Sequence, residues 1–124
     1  MMCRRGIEPR AGYWTLPGGF MEMNETTEQG AARETWEETK AKVEIQSLHG
    51  IYNIPRINQV YFFYLANMLS PDFETTPEST EIKLLDIDEI PWDNLAFKVV
   101  DLALEQYISG KGRVTTGYFN SLID

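Results

Sequence analysis

One cysteine, Cys3, and one histidine, His49, are all that this chain of 124 residues holds of either type. A structural zinc site of the four-ligand kind is thereby excluded within it, and the two residues read as an inert thiol and a structural or exposed imidazole. No apolar run approaches the roughly 20 residues that cross a bilayer, and no charged-then-apolar leader opens the chain, so the expected location is the cytoplasm. Positive charge is also scarce. Eleven Lys and Arg against nineteen Asp and Glu give a net charge of −8, which argues against nonspecific binding to nucleic acid and against an anionic membrane surface. Neither an internal repeat nor a low-complexity segment is present.

What is there suffices for one domain over residues 1–124, since 43% of the residues are hydrophobic and 12% aromatic. Thr26 with Gln29 has the form of a capping box, and Glu28 falls in the first turn, where the helix dipole favours an anion; a helix over Thr27–Thr39 follows. Gly30, Ala31 and Ala32 are small enough for close packing on a sheet, and Trp36 is expected to anchor the buried side. A strand is expected from Val43, another over Val60–Ala66 with both faces covered, a loop at 70–77, and a third strand over Ile82–Ile87. Leu95–Ile108 has helical spacing, with Asp93 or Asn94 as cap and Gly110 at the stop. Strands alternating with two helices give an α/β class with mixed pairing.

The densest chemistry lies between Gly19 and Ala41. Residues three and four apart share a helix face, so Glu34, Glu37 and Glu38 gather three carboxylates in one patch. At 5–6 Å, each like-charge pair costs roughly 3 kcal/mol at an effective dielectric of about 20. In a cleft, a hard cation such as Mg²⁺ relieves that repulsion through oxygen ligands. The alternative is a solvated face with Arg33 and Glu37 paired, but it leaves the lead-in Pro17-Gly18-Gly19 unexplained, where glycine permits a tight turn and close backbone approach.

Gly19, Glu25, Arg33, Glu34, Glu37 and Glu38 stand at the fixed positions of the Nudix box, G-x5-E-x7-R-E-U-x-E-E-x-G-U, with U a bulky aliphatic residue. At about one chance in fifteen per position, six such matches arise on the order of once in 10⁷ starting points. The chain therefore resembles the Nudix hydrolases over a box at 19–41, and departs from the pattern at Thr35, Lys40 and Ala41. Lys40 replaces a glycine where helices often end left-handed, at a cost of about 1 kcal/mol or more for lysine. The runs CRRGIEPRAGYWTLPGGFME, IPRINQVYFFYLA and DEIPWDNLAF resemble the branch that cleaves ADP-ribose or FAD, whose members often carry a zinc ribbon, here without one.

That resemblance implies an α/β/α sandwich with a mixed sheet and an N-terminal strand region that is shortened, Met1–Arg5 lying within or at the end of a strand. An unpaired sheet edge there favours association, so a homodimer is a possible state. It also implies Mg²⁺- or Mn²⁺-dependent hydrolysis of the pyrophosphate bond in a nucleoside diphosphate linked to another moiety, ADP-ribose, FAD or a related dinucleotide. Glu34, Glu37, Glu38 and the Gly19 carbonyl are the implied metal ligands; Gly18, Glu25 and Arg33 hold the box together. A metal-activated water is the expected nucleophile, with Glu37 and Glu38 catalytic and Glu81, or else Glu78, as general base. Arg5 and Arg10 are candidate phosphate contacts or surface ion pairs. Asn58 is a candidate base contact or the start of a strand. Tyr13, Trp14, Tyr52 and Phe62 could stack a base or fill the core. Two alternatives stay open: a house-cleaning pyrophosphohydrolase of nucleoside triphosphates, and a non-catalytic nucleotide-binding or sensor module.

Overall fold

The computed structural model describes residues 1–110 and the strand Tyr118–Asn120. Six strands and two helices follow in the order β1 (Met2–Arg5), β2 (Trp14–Thr15), α1 (Thr27–Thr39), β3 (Val43–Ile54), β4 (Gln59–Met68), β5 (Ser79–Lys83), α2 (Lys98–Ser109) and β6 (Tyr118–Asn120). They form two three-stranded sheets, β2-β1-β5 and β4-β3-β6, antiparallel except for the parallel pair of β3 with β6. Helix α1 touches β3, β4 and β5, while α2 packs on β3. The chain thus has the mixed pairing and α/β/α layering expected of it.

The core gathers Met2 of β1, Tyr52 and Ile54 of β3, and Val99, Val100 and Ala103 of α2, with Trp14, Tyr61, Phe63 and Phe97 against them. His49 is buried there and meets the Ala103 carbonyl at 2.9 Å. Met2–Arg5 is a strand, but not an exposed edge: β1 is the centre of its sheet, paired on both sides.

Other expectations shift, each for a local reason. Helix α1 spans Thr27–Thr39 with both halves of the Thr26–Gln29 capping box made. Its Trp36 is 45% exposed, however, lying under the Lys40 ammonium at 4.1 Å instead of anchoring the buried side. Gly30 is buried against Glu25 and Met21 of the preceding loop, where an added Cβ would lie 3.0 Å from Glu25 Oε1. Strand β4 does not have both faces covered: Val60 and Phe62 are exposed while Tyr61 and Phe63 meet the core, the period-two pattern of a half-solvated antiparallel strand.

The strand expected at Ile82–Ile87 lies earlier, at Ser79–Lys83. Asp86 and Glu89 close their own capping box and turn Ile87–Glu89 into a 3₁₀ helix. Helix α2 starts at Lys98, not Leu95, and neither Asp93 nor Asn94 caps it. Residues 92–94 form a 3₁₀ turn, and the Ala96 N–H donates to the Trp14 carbonyl at 2.7 Å, so this stretch is held extended beside β2.

Candidate functional site

Arg33 is the hub of the acidic patch. Its Nε and Nη2 donate to the two oxygens of Glu25 at 3.0 and 2.9 Å, a bidentate pair. Nη2 also reaches the Phe20 carbonyl at 2.9 Å, fixing the loop ahead of α1. Nη1 donates to Glu34 at 2.8 Å and Glu37 at 3.0 Å. These hydrogen bonds, Glu25 foremost and Glu34 next, raise the guanidinium's pKa, and Arg33 lowers that of Glu25.

Glu38 lies outside this network. The Gly18 N–H donates to Glu38 Oε2 at 3.0 Å. The Glu34 carboxylate packs so closely on Gly19 that a Cβ there would sit 2.4 Å from Glu34 Oε2 and would push that carboxylate aside. Close approach thus applies to Gly19 alone, since a Cβ on Gly18 would meet nothing within 4 Å; neither glycine has a positive φ, and no tight turn forms. Burial foremost pushes the Glu38 carboxyl up to about 7, against the Gly18 hydrogen bond, with the charges of Glu34 and Glu78 adding to the rise and Arg5 opposing it.

The loop after β4 is stitched to the end of α1: Thr76 Oγ1 donates to the Glu38 carbonyl at 2.8 Å and the Glu74 N–H to the Thr39 carbonyl at 2.8 Å. The Gly6 N–H donates to the Glu78 carbonyl at 3.0 Å, tying the same loop to the end of β1. Lys40 takes the left-handed conformation, φ 58°, and its N–H caps α1 on the Trp36 carbonyl.

The remaining candidates divide. Glu78 falls within electrostatic range of Glu38, whereas Glu81 stands opposite Arg4 on β1 and forms ion pairs with Arg4 at 3.5 Å and Lys83 at 3.4 Å. The charge of Arg5 reaches Glu38 and Tyr61 without a direct contact, while its guanidinium donates to the Pro9 carbonyl at 2.7 Å and lies 5.1 Å over the Phe97 ring. Arg10 donates to the Ala96 carbonyl at 3.1 Å and covers Tyr13 at 4.0 Å. Asn58, φ 55°, ends the 3₁₀ turn between β3 and β4. Tyr52 is wholly buried, and its hydroxyl bonds Gln106. Phe97 had no signal of its own in the sequence beyond the run DEIPWDNLAF.

The family model described as the NUDIX domain matches residues 1–103. The chain belongs to the Nudix family. A Nudix hydrolase of Nitrosomonas europaea has a solved structure that is 44% identical and superposes with a TM-score of 0.92, covering 97% of this chain and 69% of that one. A MutT-like protein of Streptomyces ambofaciens is 39% identical over 79 residues, 64% of this chain and 51% of the relative. An ADP-ribose pyrophosphatase of Methanocaldococcus jannaschii is 29% identical over 101 residues, 78% of this chain and 59% of the relative. The chain thus spans little more than half the length of these two curated relatives.

Nudix hydrolases generally use divalent metal ions. The donors here fit a hard cation, being carboxylate and carbonyl oxygens only. Among the described residues Glu38 forms no ion pair of its own, while Glu34 and Glu78 add negative charge around it. Among the described residues, no three carboxylates stand ready grouped around one point, because Arg33 already holds Glu34 and Glu37.

Proposed function

We propose that this chain, read as one domain over residues 1–124, is a cytoplasmic Mg²⁺- or Mn²⁺-dependent hydrolase of nucleoside diphosphates linked to another moiety, ADP-ribose or FAD in the first place. The observation that carries this reading is the placement of the Glu34 and Glu38 carboxylates against Gly19 and Gly18, with the charge of Glu78 acting on Glu38 and, among the described residues, no cation paired to it. The resemblance of the flanking runs to the ADP-ribose and FAD branch, and the named activity of the Methanocaldococcus relative, support the substrate class.

Glu34, Glu37, Glu38 and the Gly19 carbonyl would hold the cation, which when bound supplies polarisation of phosphoryl oxygens and an acidified water. The chain's own groups do the rest. Arg33 keeps Glu25 and the Phe20 backbone in place, which ties the loop to α1. Arg5, held over Phe97 with its charge acting on Glu38, binds the anionic diphosphate and sets its orientation. Glu78 is the favoured general base from outside the box because it shares the field of Glu38; Glu81 is the second choice, its carboxylate being occupied by two cations. Asn58, at the turn between β3 and β4, stays a candidate base contact.

A homodimer belongs to the same proposal. Strand β4 is an edge of its sheet among the described residues, and Gln59–Met68 contains no charged side chain in a chain of net charge −8. A second copy is the partner that a ten-residue neutral edge fits.

A second reading, hydrolysis of nucleoside triphosphates, is favoured by the MutT-like name of the Streptomyces relative. Product analysis on ADP-ribose, FAD and a nucleoside triphosphate separates the two. AMP with ribose phosphate or FMN is expected; pyrophosphate with a monophosphate, from the triphosphate alone, would establish the second. Binding of nucleotide with no product from any of the three would leave a sensor module.

A further inference from the structure

The tip of the β1–β2 hairpin and the segment entering α2 enclose a half-open cavity of about 220 Å³, lined by Arg10, Trp92, Asp93, Phe97, Lys98 and Asp101. Phe97 links it to the candidate catalytic region, because its ring carries the guanidinium of Arg5, whose charge acts on Glu38. We infer that this cavity is the subsite for the group attached to the nucleoside diphosphate, and that it takes a sugar. The inference rests on the hydrolase reading above for what the diphosphate is attached to.

Three features select a sugar. The charges balance, Arg10 and Lys98 against Asp93 and Asp101, so a further phosphate would meet two carboxylates as well as two cations. Hydroxyl groups both donate and accept, and suit such a mixed rim: the carboxylates accept hydrogen bonds from them while the cationic N–H groups donate to their oxygens. Arg10 is already set for this. Its Nε is held by the Ala96 carbonyl and its plane by the Tyr13 ring, while its two terminal nitrogens make no hydrogen bond among the described residues. Trp92 is 39% exposed and offers an apolar wall for the C–H face of a sugar ring. Phe97 has one face covered by the Arg5 guanidinium, which leaves that face closed to a stacked nucleobase. A half-open cavity of about 220 Å³ has room for a pentose or hexose.

The test is isothermal titration of the chain with ADP-ribose and with ADP, in chelator to prevent turnover, for the parent, Asp93→Asn and Trp92→Ala. The parent is expected to bind ADP-ribose about tenfold more tightly than ADP, and each variant to bring that ratio near one with the affinity for ADP unchanged. Equal affinities in the parent, no measurable binding, or a ratio that both variants leave intact would overturn the inference. A loss of ADP affinity in the variants would do so too, by making the cavity a nucleobase site. Asp93→Asn changes a surface side chain in a 3₁₀ turn and keeps the test sound if Trp92→Ala unfolds. Turnover is assayed separately. A sugar preference with no hydrolysis removes the enzyme reading alone, and hydrolysis with no preference removes this inference alone.

Discussion

Glu38 couples the fold to pH. Its carboxyl is pushed up to about 7 from an ordinary value of 4.5, so between those values the folded chain binds a proton that the unfolded chain has released. Stability from this residue is therefore fullest below about 4.5 and falls as pH rises towards 7. Glu25 and Glu28 act in the opposite sense, because hydrogen bonds lower their pKa values and their contribution is lost as pH falls. Comparison with Glu38→Gln isolates the first effect: in chelator, thermal melts should favour the variant by a margin that grows from pH 4.5 to 7, and a margin independent of pH would refute the assignment. Cys3 gives a second check. It is 2% exposed and burial, above all, raises its thiol to about 11, so at pH 8 only about one molecule in a thousand carries the thiolate. Alkylation should run more than about a hundredfold slower than for a free cysteine; a rate near that of the free thiol would show β1 to be open. At this scale the box residues were legible because their spacing is local. The proximity of Glu78 to Glu38 was not, since it depends on Thr76 and Gly6 joining segments far apart in sequence.

Helix α1 was readable to the residue because both of its ends are set by neighbours in the chain. Thr26→Ala removes the hydroxyl that accepts from the Gln29 N–H and should cost about 1 kcal/mol in denaturant unfolding. Lys40→Gly sets opposing effects against each other. Relief of the left-handed backbone is worth about 1 kcal/mol. Loss of the Lys40–Trp36 contact costs about 0.5–1 kcal/mol, and the freer unfolded chain about 0.4–1 kcal/mol. The variant should thus be no more stable than the parent; a gain of about 0.6 kcal/mol would mean that the cation–π contact contributes nothing. Helix α2 resisted reading at its start because Ala96 is claimed by Trp14, some eighty residues earlier, over a helical pattern that runs unbroken through Leu95. The end of β5 was missed for a local reason, the Asp86–Glu89 capping box, which uses the same grammar as Thr26–Gln29.

For the whole molecule, the α/β class with mixed pairing followed from alternating patterns, while the division into two three-stranded sheets did not, because it depends on which strands meet. Among the described residues no helix is long and apolar enough to cross a membrane. With a net charge of −8, the chain should not be retained on double-stranded DNA at physiological salt, and salt-sensitive retention would contradict that expectation. Light scattering should give a dimer of the 14.3 kDa chain, weakened by Val60→Lys or Phe62→Lys on the exposed face of β4; a monomer at all concentrations would remove the β4 pairing.

The central claim is that the carboxylates around Gly18 and Gly19 hold a cation that drives cleavage of a diphosphate. The most direct measurement is ³¹P NMR with chromatography of ADP-ribose incubated with the folded chain in Mg²⁺, in chelator, and with Mg²⁺ restored, alongside Glu37→Gln and Glu38→Gln. AMP and ribose phosphate should form only with metal, reappear on its return, and fall at least about a hundredfold in both variants while their folds persist. Turnover undiminished by chelator, or within a few-fold of the parent in both variants, would contradict the account.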